Sequence, residues 1–401
     1  MFKRFFNKHR HGATLVSNDT LGAPVWTPRN YHSLAQEGYL QNVIVYRCIN
    51  LIAKGLSSIP WVIYEGQEEL NKHPIIDLIN QPNPKSSRRT FIENLVGYLL
   101  LAGNSYVEAN YDDEGRAVEL YTVRPDHMKV IPGAGGVPKA FIHELDGRER
   151  RFIVNQLTGN SAILHLKNFH PLNQWYGMSP IEAAATAIDQ HNAVSSHNLA
   201  VMQNGGRPSG AFVINKPDHG VGLSEEQLHS IRNDLRNTYS GEKNAGKILL
   251  IEGDCRWQEM GLSPKDLDFI NGKAVSSREI AQAFGVPPML VGVTGDATFA
   301  NFREARYHLW EDTILPLLDN IIAEMNRWLC EGYGHDLRIS YDRDEIPALT
   351  LKREAVWERV QKSEFLTINE KREAVGYSPL PEGDQLVSPR QAEQQVERSG
   401  P

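Results

Sequence analysis

Hydrophobic residues along this chain recur first at helical and then at strand spacing. Between Tyr39 and Ser57, the positions Val43, Tyr46, Ile49, Ile52, Ala53 and Leu56 fit one helix, and Pro60 stops it. Trp61 to Tyr64 then reads as a strand, and Arg89 to Ala102 as a largely buried helix. Strand-like runs follow at Ser105 to Asn110, Ala117 to Val123 and Ile163 to Lys167, with turns at Asp112 to Gly115 and Gly133 to Gly136. This first part of the chain is predicted to be mixed α+β.

Two long helices carry one start signal. Ser179-Pro180-Ile181-Glu182 and Ser263-Pro264-Lys265-Asp266 each place Ser at the cap, Pro at the first helical position and an acid three residues after the cap. The first runs to Gly205-Gly206, roughly 25 residues or about 37 Å. Its predicted seam is thin: Ile181, Ala185, Ile188, Asn192, Ser195, Leu199 and Met202. So few large apolar residues suit packing against other helices or further copies of itself. The second ends near Gly285, with Leu267, Ile270, Ala274, Ala281 and Phe284 on its apolar side. Between the two lies a small unit: a strand at Gly210 to Ile214, a helix capped at Ser224 carrying Leu228, Ile231 and Leu235, and a strand at Lys247 to Ile251. A loop from Gly292 to Asn301 then leads into a very long helix reaching about Glu331. Pro316 inside it removes a hydrogen bond and crowds the preceding turn, so a kink is expected. Leu337 to Tyr341 alternates as a strand, Leu351 to Gly376 reads as a helix, and from Pro381 a Gln/Glu-rich tail is expected to be disordered.

Composition narrows the functional classes. The 401 residues suffice for two or three domains, and 41% hydrophobic with 23% charged residues is ordinary for a chain that buries a core. The net charge of −7 argues against tight nucleic-acid binding, which depends on neutralising phosphates, so any contact with DNA should be weak or transient. Cys48, Cys255 and Cys330 are sparse and odd in number, which fits neither a disulfide framework nor a zinc site and suits a reducing cytosol. The basic start, MFKRFFNKHRHG, has no apolar run after it and is not read as a signal peptide. The most apolar stretch, Leu95 to Ala102, is too short to span a bilayer, so no membrane partner is expected.

The chemical motifs favour no catalysis. Gly241 to Lys247 fits seven positions of a phosphate-binding P-loop, but Ile248 replaces the hydroxyl that would hold magnesium. The order is also inverted: this loop follows a predicted helix and opens a strand, so no helix N-terminus would face a phosphate. Ser179 lacks the second glycine of a nucleophile elbow and already serves as a cap. His191 and His197 are six apart and do not share a helix face, while His165 and His170 are too loosely placed to mark a metal. Asp342, Asp344 and Glu345 read as a solvated turn without calcium-loop spacing. The chain is therefore expected to have no catalytic residue, no metal site and no cofactor.

At this point the order of elements and several short words resemble the portal proteins of tailed bacteriophages, siphophage-type, including those of phage-derived gene-transfer particles. The words are Val45 to Ala53 (VYRCINLIA) running on to Ser58-Ile59-Pro60, then His73-Pro74 with Asn83-Pro84, Leu100 to Tyr106 (LLAGNSY), Gly177 to Ile181 (GMSPI), and Arg278 to Pro288 (REIAQAFGVPP). The resemblance covers roughly residues 40 to 350.

The resemblance implies a ring, usually of twelve subunits, around a channel for double-stranded DNA at the capsid vertex of a virion. Such rings are assembled in the host bacterial cytoplasm and contact terminase, a head-tail connector or adaptor and the major capsid protein. It divides the chain into an irregular arm (1–38), a wing (39–178), a first stem helix (179–206), a clip (207–262), a second stem helix (263–288), a tunnel loop (289–301), a kinked helix with a wing strand (302–350), a helical crown (351–380) and a tail (381–401). The candidate channel residues are Val293, Thr294, Gly295, Asp296, Thr298 and Asn301, in a loop holding no Lys or Arg. Composition alone makes this loop an ordinary surface connection; its place after the second capped helix makes it the tunnel loop. Arg232 and Arg236, four apart on the clip helix, are the candidate docking residues, and Pro316 is the candidate kink. Two alternatives stand beside the ring: a P-loop-type packaging enzyme, and a cytosolic binding module that forms no ring.

Overall fold

The computed structural model describes residues 30–203, 210–214, 226, 229, 255–259, 269–293, 298–334, 336–343, 345–377, 379–381 and 383–384. A short turn, α1 (Tyr31–Ser33), continues as a π-helical segment, Leu34–Leu40. Asn42 then caps α2 (Val43–Ser57), its side-chain oxygen accepting from the N–H groups of Ile44 and Val45. The helix therefore starts at Val43, four residues later than the expected Tyr39. Its buried stripe is Val45, Cys48, Ile49, Ile52 and Leu56, whereas Val43 and Tyr46 face outward.

α2 packs against α4 (Arg88–Ala102), and together they form the centre of the main core. One sheet of three antiparallel strands, β11 (Leu337–Tyr341), β1 (Trp61–Glu65) and β2 (Glu68–Leu70), joins the far end of the chain to its beginning. A short helix, α3 (Pro74–Asn80), follows, with His73 as its cap and Pro74 at its first position. A second sheet orders β4 (Ala117–Val123), β3 (Asn104–Tyr111) and β8 (Ile163–Lys167).

A third sheet has no counterpart in the hydrophobic pattern. Strands β5 (Met128–Ile131), β6 (Ala140–Leu145) and β7 (Arg148–Ile153) form it, with a smaller core of Tyr106, Val123, Met128, Val130, Phe141, Val154 and Ile163 beneath. β6 and β7 are joined by Asp146-Gly147, both at positive φ (51° and 74°), which is the geometry of a two-residue hairpin turn.

The first capped helix is interrupted once. Ser179 caps α5 (Pro180–Ala183) in a capping box with Glu182, and after Ala184 the chain continues as α6 (Ala185–Gln203). The expected seam is also shifted: Ile181, Ala184, Ala187, Ile188 and His191 are buried, while Leu199 and Met202 are exposed. α6 packs against α7 (Phe269–Ala283), whose buried side is Ser276, Ser277, Ile280 and Ala281. β9 (Gly210–Ile214) pairs antiparallel with β10 (Cys255–Glu259), a strand the hydrophobic pattern did not mark. The second Ser-Pro cap, the strand at 247–251 and most of the helix after Ser224 lie outside the described residues; Glu226 and His229 are helical.

The long helix past the Gly-rich loop is three pieces. α8 (Phe299–His308) passes into a π-helical segment, Leu309–Ile314, and then α9 (Leu315–Leu329). The single helix expected from Leu351 to Gly376 is two, α10 (Thr350–Lys362) and α11 (Ile368–Ala374). Thr367 caps the second in a capping box with Glu370.

Candidate functional site: the helix pair and the loop after it

The start of α5 is anchored on the end of α4. Gly103 ends α4 in the left-handed region at φ 69°, and its N–H bonds to Leu99 O at 2.9 Å. A Cβ there would lie 2.4 Å from the backbone carbon of Met178, and one on Gly177 would lie 2.1 Å from Gly103 O. Only glycine permits this approach at either position. Ser179 Oγ donates to Leu100 O at 2.9 Å while accepting from Ile181 N, so the cap is also a tether. Asn104 Nδ2 donates to Ala102 O and Gly177 O, so its Oδ1 receives Gly177 N at 2.7 Å and His165 Nε2 at 3.0 Å. Two sequence words far apart in the chain, LLAGNSY and GMSPI, thus meet as one joint.

A second joint fixes α6. Because Asn42 Oδ1 is occupied as the α2 cap, its Nδ2 donates to Asn192 Oδ1 at 3.0 Å and faces His191 Nδ1 at 3.2 Å. Asn192 Nδ2 in turn donates to Glu37 O at 2.9 Å. His191 Nδ1 is therefore an acceptor, and the imidazole is neutral with its proton on Nε2. Burial of the ring lowers the His191 pKa, and Lys273 on α7 lowers it further.

A third joint follows α7. Gly285 sits at φ 66°, where Thr313 Oγ1 donates to its carbonyl at 2.7 Å and would stand 2.6 Å from any Cβ. A turn at Pro288–Val291 and Gly292 at φ 85° then lead to the loop. Of the six residues expected in that loop, Thr294, Gly295 and Asp296 lie outside the described residues. Val293 bonds its N–H to Pro288 O at 3.2 Å and closes the turn. Thr298 and Asn301 belong to the start of the next helix instead: Thr298 caps α8 from an extended conformation by accepting from Asn301 N, and Asn301 lies in its first turn. A Thr immediately before a helical run is a capping signal, and the loop boundary could have been set by it.

Pro316 lies at the start of α9, and the register changes just before it, where Leu315 N–H reaches back five residues to Trp310 O. The π-helical turn takes up the crowding that a proline imposes on the turn before it. Arg232, Arg236 and the P-loop-like run 241–248 lie outside the described residues. Among the described residues, no three His, Cys, Asp or Glu side chains gather as a metal site, and no helix is long and apolar enough to cross a membrane. His165 stacks on Tyr106 at 4.3 Å, and desolvation, with Lys167 adding, holds its pKa down to about 3. Burial pushes the Cys48 thiol up to about 12, which leaves it no nucleophile.

Comparison with known proteins gives this geometry a context. The profile described as phage portal protein matches residues 43–376. An uncharacterised protein of Rickettsia bellii is 40% identical over 352 residues, spanning 87% of this chain and 90% of its own. The probable portal protein of Streptomyces phage phiC31 is 25% identical over 86% of this chain and 76% of its own. Among solved structures, the neck of a native gene transfer agent particle, computed with C12 symmetry, is 38% identical with a TM-score of 0.67, covering 90% of this chain and 96% of that one.

Proposed function

This chain belongs to the phage portal protein family, and from that membership we propose that twelve copies form a ring at one vertex of a phage-like or gene-transfer particle. The ring passes double-stranded DNA through its centre and offers docking surfaces to terminase, a head-tail connector and the major capsid protein. The observation that carries this reading is the match, over nine-tenths of the chain, to a neck particle of twelvefold symmetry. In this reading α6 and α7 are stem helices, the residues between them are the clip, the residues after Gly292 line the channel, and α10 and α11 form the crown. Arg232 and Arg236 serve partner docking in the clip. The role is structural; the joints described above hold helices in place and assemble no reacting groups.

The loop makes the proposal testable. From Val293 to Asn301 the sequence holds no Lys or Arg, and Asp296 repels phosphate. Twelve copies of charge −7 sum to about −84, so the conduit as a whole lets DNA slide. Thr294→Arg or Asp296→Arg adds one phosphate contact per subunit. Each variant is expected to leave rings assembled while lowering the DNA packaged per particle at matched salt. Well-formed variant rings that package like wild type would remove this loop from the DNA path.

A further inference from the structure

We propose that one flank of each subunit, carrying Leu40, Val43, Tyr46, Leu199 and Met202, seats the outer face of α7 of the next copy. The inference rests on the ring reading and names its contact surface.

The flank is one surface by construction. Asn192 is turned towards the corner between the π-helical segment and α2, since its side chain bonds both Asn42 and Glu37 O. Leu40 and Val43 stand on either side of that corner, 69% and 64% exposed, with Tyr46 next along α2 at 49%. Leu199 follows Asn192 by seven residues, so it lies on the same side of α6 about two turns, or roughly 10 Å, further along. It is 56% exposed, and Met202, one turn beyond, is 68% exposed. From Gln190 to Gln203 the helix contains no Asp, Glu, Lys or Arg. A helix face left to water normally carries charge; this one carries apolar side chains and neutral polar ones.

Leu199 points away from α7, on the side of α6 opposite Gln190, while Met202 lies nearer the His191 side. α6 meets α7 through Gln190, His191 and their neighbours, with Ser276 Oγ donating to Gln190 Oε1 at 3.5 Å. Asn192 and Leu199 lie about 100° round the helix from His191. On α7, Ser276, Ser277, Ile280 and Ala281 are turned inward, which puts Val275 on the opposite side, 50% exposed. One turn before it, Gly272 has nothing within 4 Å of where a Cβ would stand, leaving a gap beside Val275. The helix pair therefore carries apolar knobs on one flank and an apolar residue next to a gap on the other. A closed ring needs just such a pair of unlike patches, because each copy meets its two neighbours with different faces. A second copy is the occupant that supplies both.

The test uses the full chain with Val43→Glu, Leu199→Glu and Val275→Glu, each examined for rings in negative stain and for folding by thermal melting. It adds the pair Leu199→Cys with Val275→Cys, oxidised and run on denaturing gels. The expected result is rings from wild type, at least tenfold fewer rings from each Glu variant with melting unchanged, and a covalent ladder from the paired cysteines but from neither single variant. Wild-type rings that survive all three Glu substitutions overturn the interface alone. Loss of rings without a covalent ladder overturns the pairing of α6 with α7. Absence of rings from wild type overturns the ring reading, and the interface with it.

Discussion

His191 shows how much one side chain can be constrained by groups that bind nothing. Asn42 cannot rotate its amide without losing the α2 cap, so it offers His191 only an N–H. A protonated ring would bring donor against donor, and Lys273 adds its charge. The folded His191 pKa lies below the ordinary value of about 6.5. The stability it contributes is therefore complete above pH ~6.5 and is lost as pH falls from there through the folded value. His165, held to about 3, acts in the same direction and over a wider range, contributing on the order of 4 kcal/mol. The melting temperature is expected to fall steadily as pH is lowered from about 6.5 to 4. Asn42→Asp keeps an acceptor for the α2 cap and gives His191 a carboxylate, so it should raise the His191 pKa in an NMR titration. An unchanged or lowered value would contradict the assigned hydrogen-bond polarity.

At the scale of elements, legibility followed how local each cause is. β4, β8, β9 and β11 carry their period in their own residues, and the observed bounds match the sequence reading. Glycine words such as LLAGNSY were visible as words, yet their reason was not, because Gly103 is required by Met178, 75 residues away. β7 was missed since Arg148, Glu149, Arg150 and Arg151 are all exposed and hold no hydrophobic alternation. The Asp146-Gly147 turn was the available signal, as Thr367-x-x-Glu370 was for the break between α10 and α11. Pro316 signals a break in the long helix but not its π register, and nothing in the sequence marks the π-helical segment Leu34–Leu40. We propose that Pro316 keeps the turn before it in the π register and so sets the direction of α9. Pro316→Ala restores a donor to Asp312 O and should convert Leu309–Ile314 to α-helix, turning Trp310 and Ile314 out of their sites. The expected outcome is slower amide exchange around residue 316 together with fewer rings in negative stain; wild-type ring yield would remove Pro316 from any architectural role.

The whole molecule is built as a mixed α+β body whose joints hold two helices at fixed positions. The α2 corner and the α4 end grip α5 and α6, and the Thr313–Gly285 contact grips the exit of α7. The chain leaves large apolar side chains exposed on the helix pair and at the α2 corner, which a lone subunit has no use for. In the ring proposed above, those surfaces meet the next copy. Native mass spectrometry of the purified full chain tests this most directly. With 45.1 kDa per subunit, the account predicts one dominant species near 540 kDa at micromolar concentration. A chain that remains at 45 kDa across that range, while melting cooperatively, would contradict it.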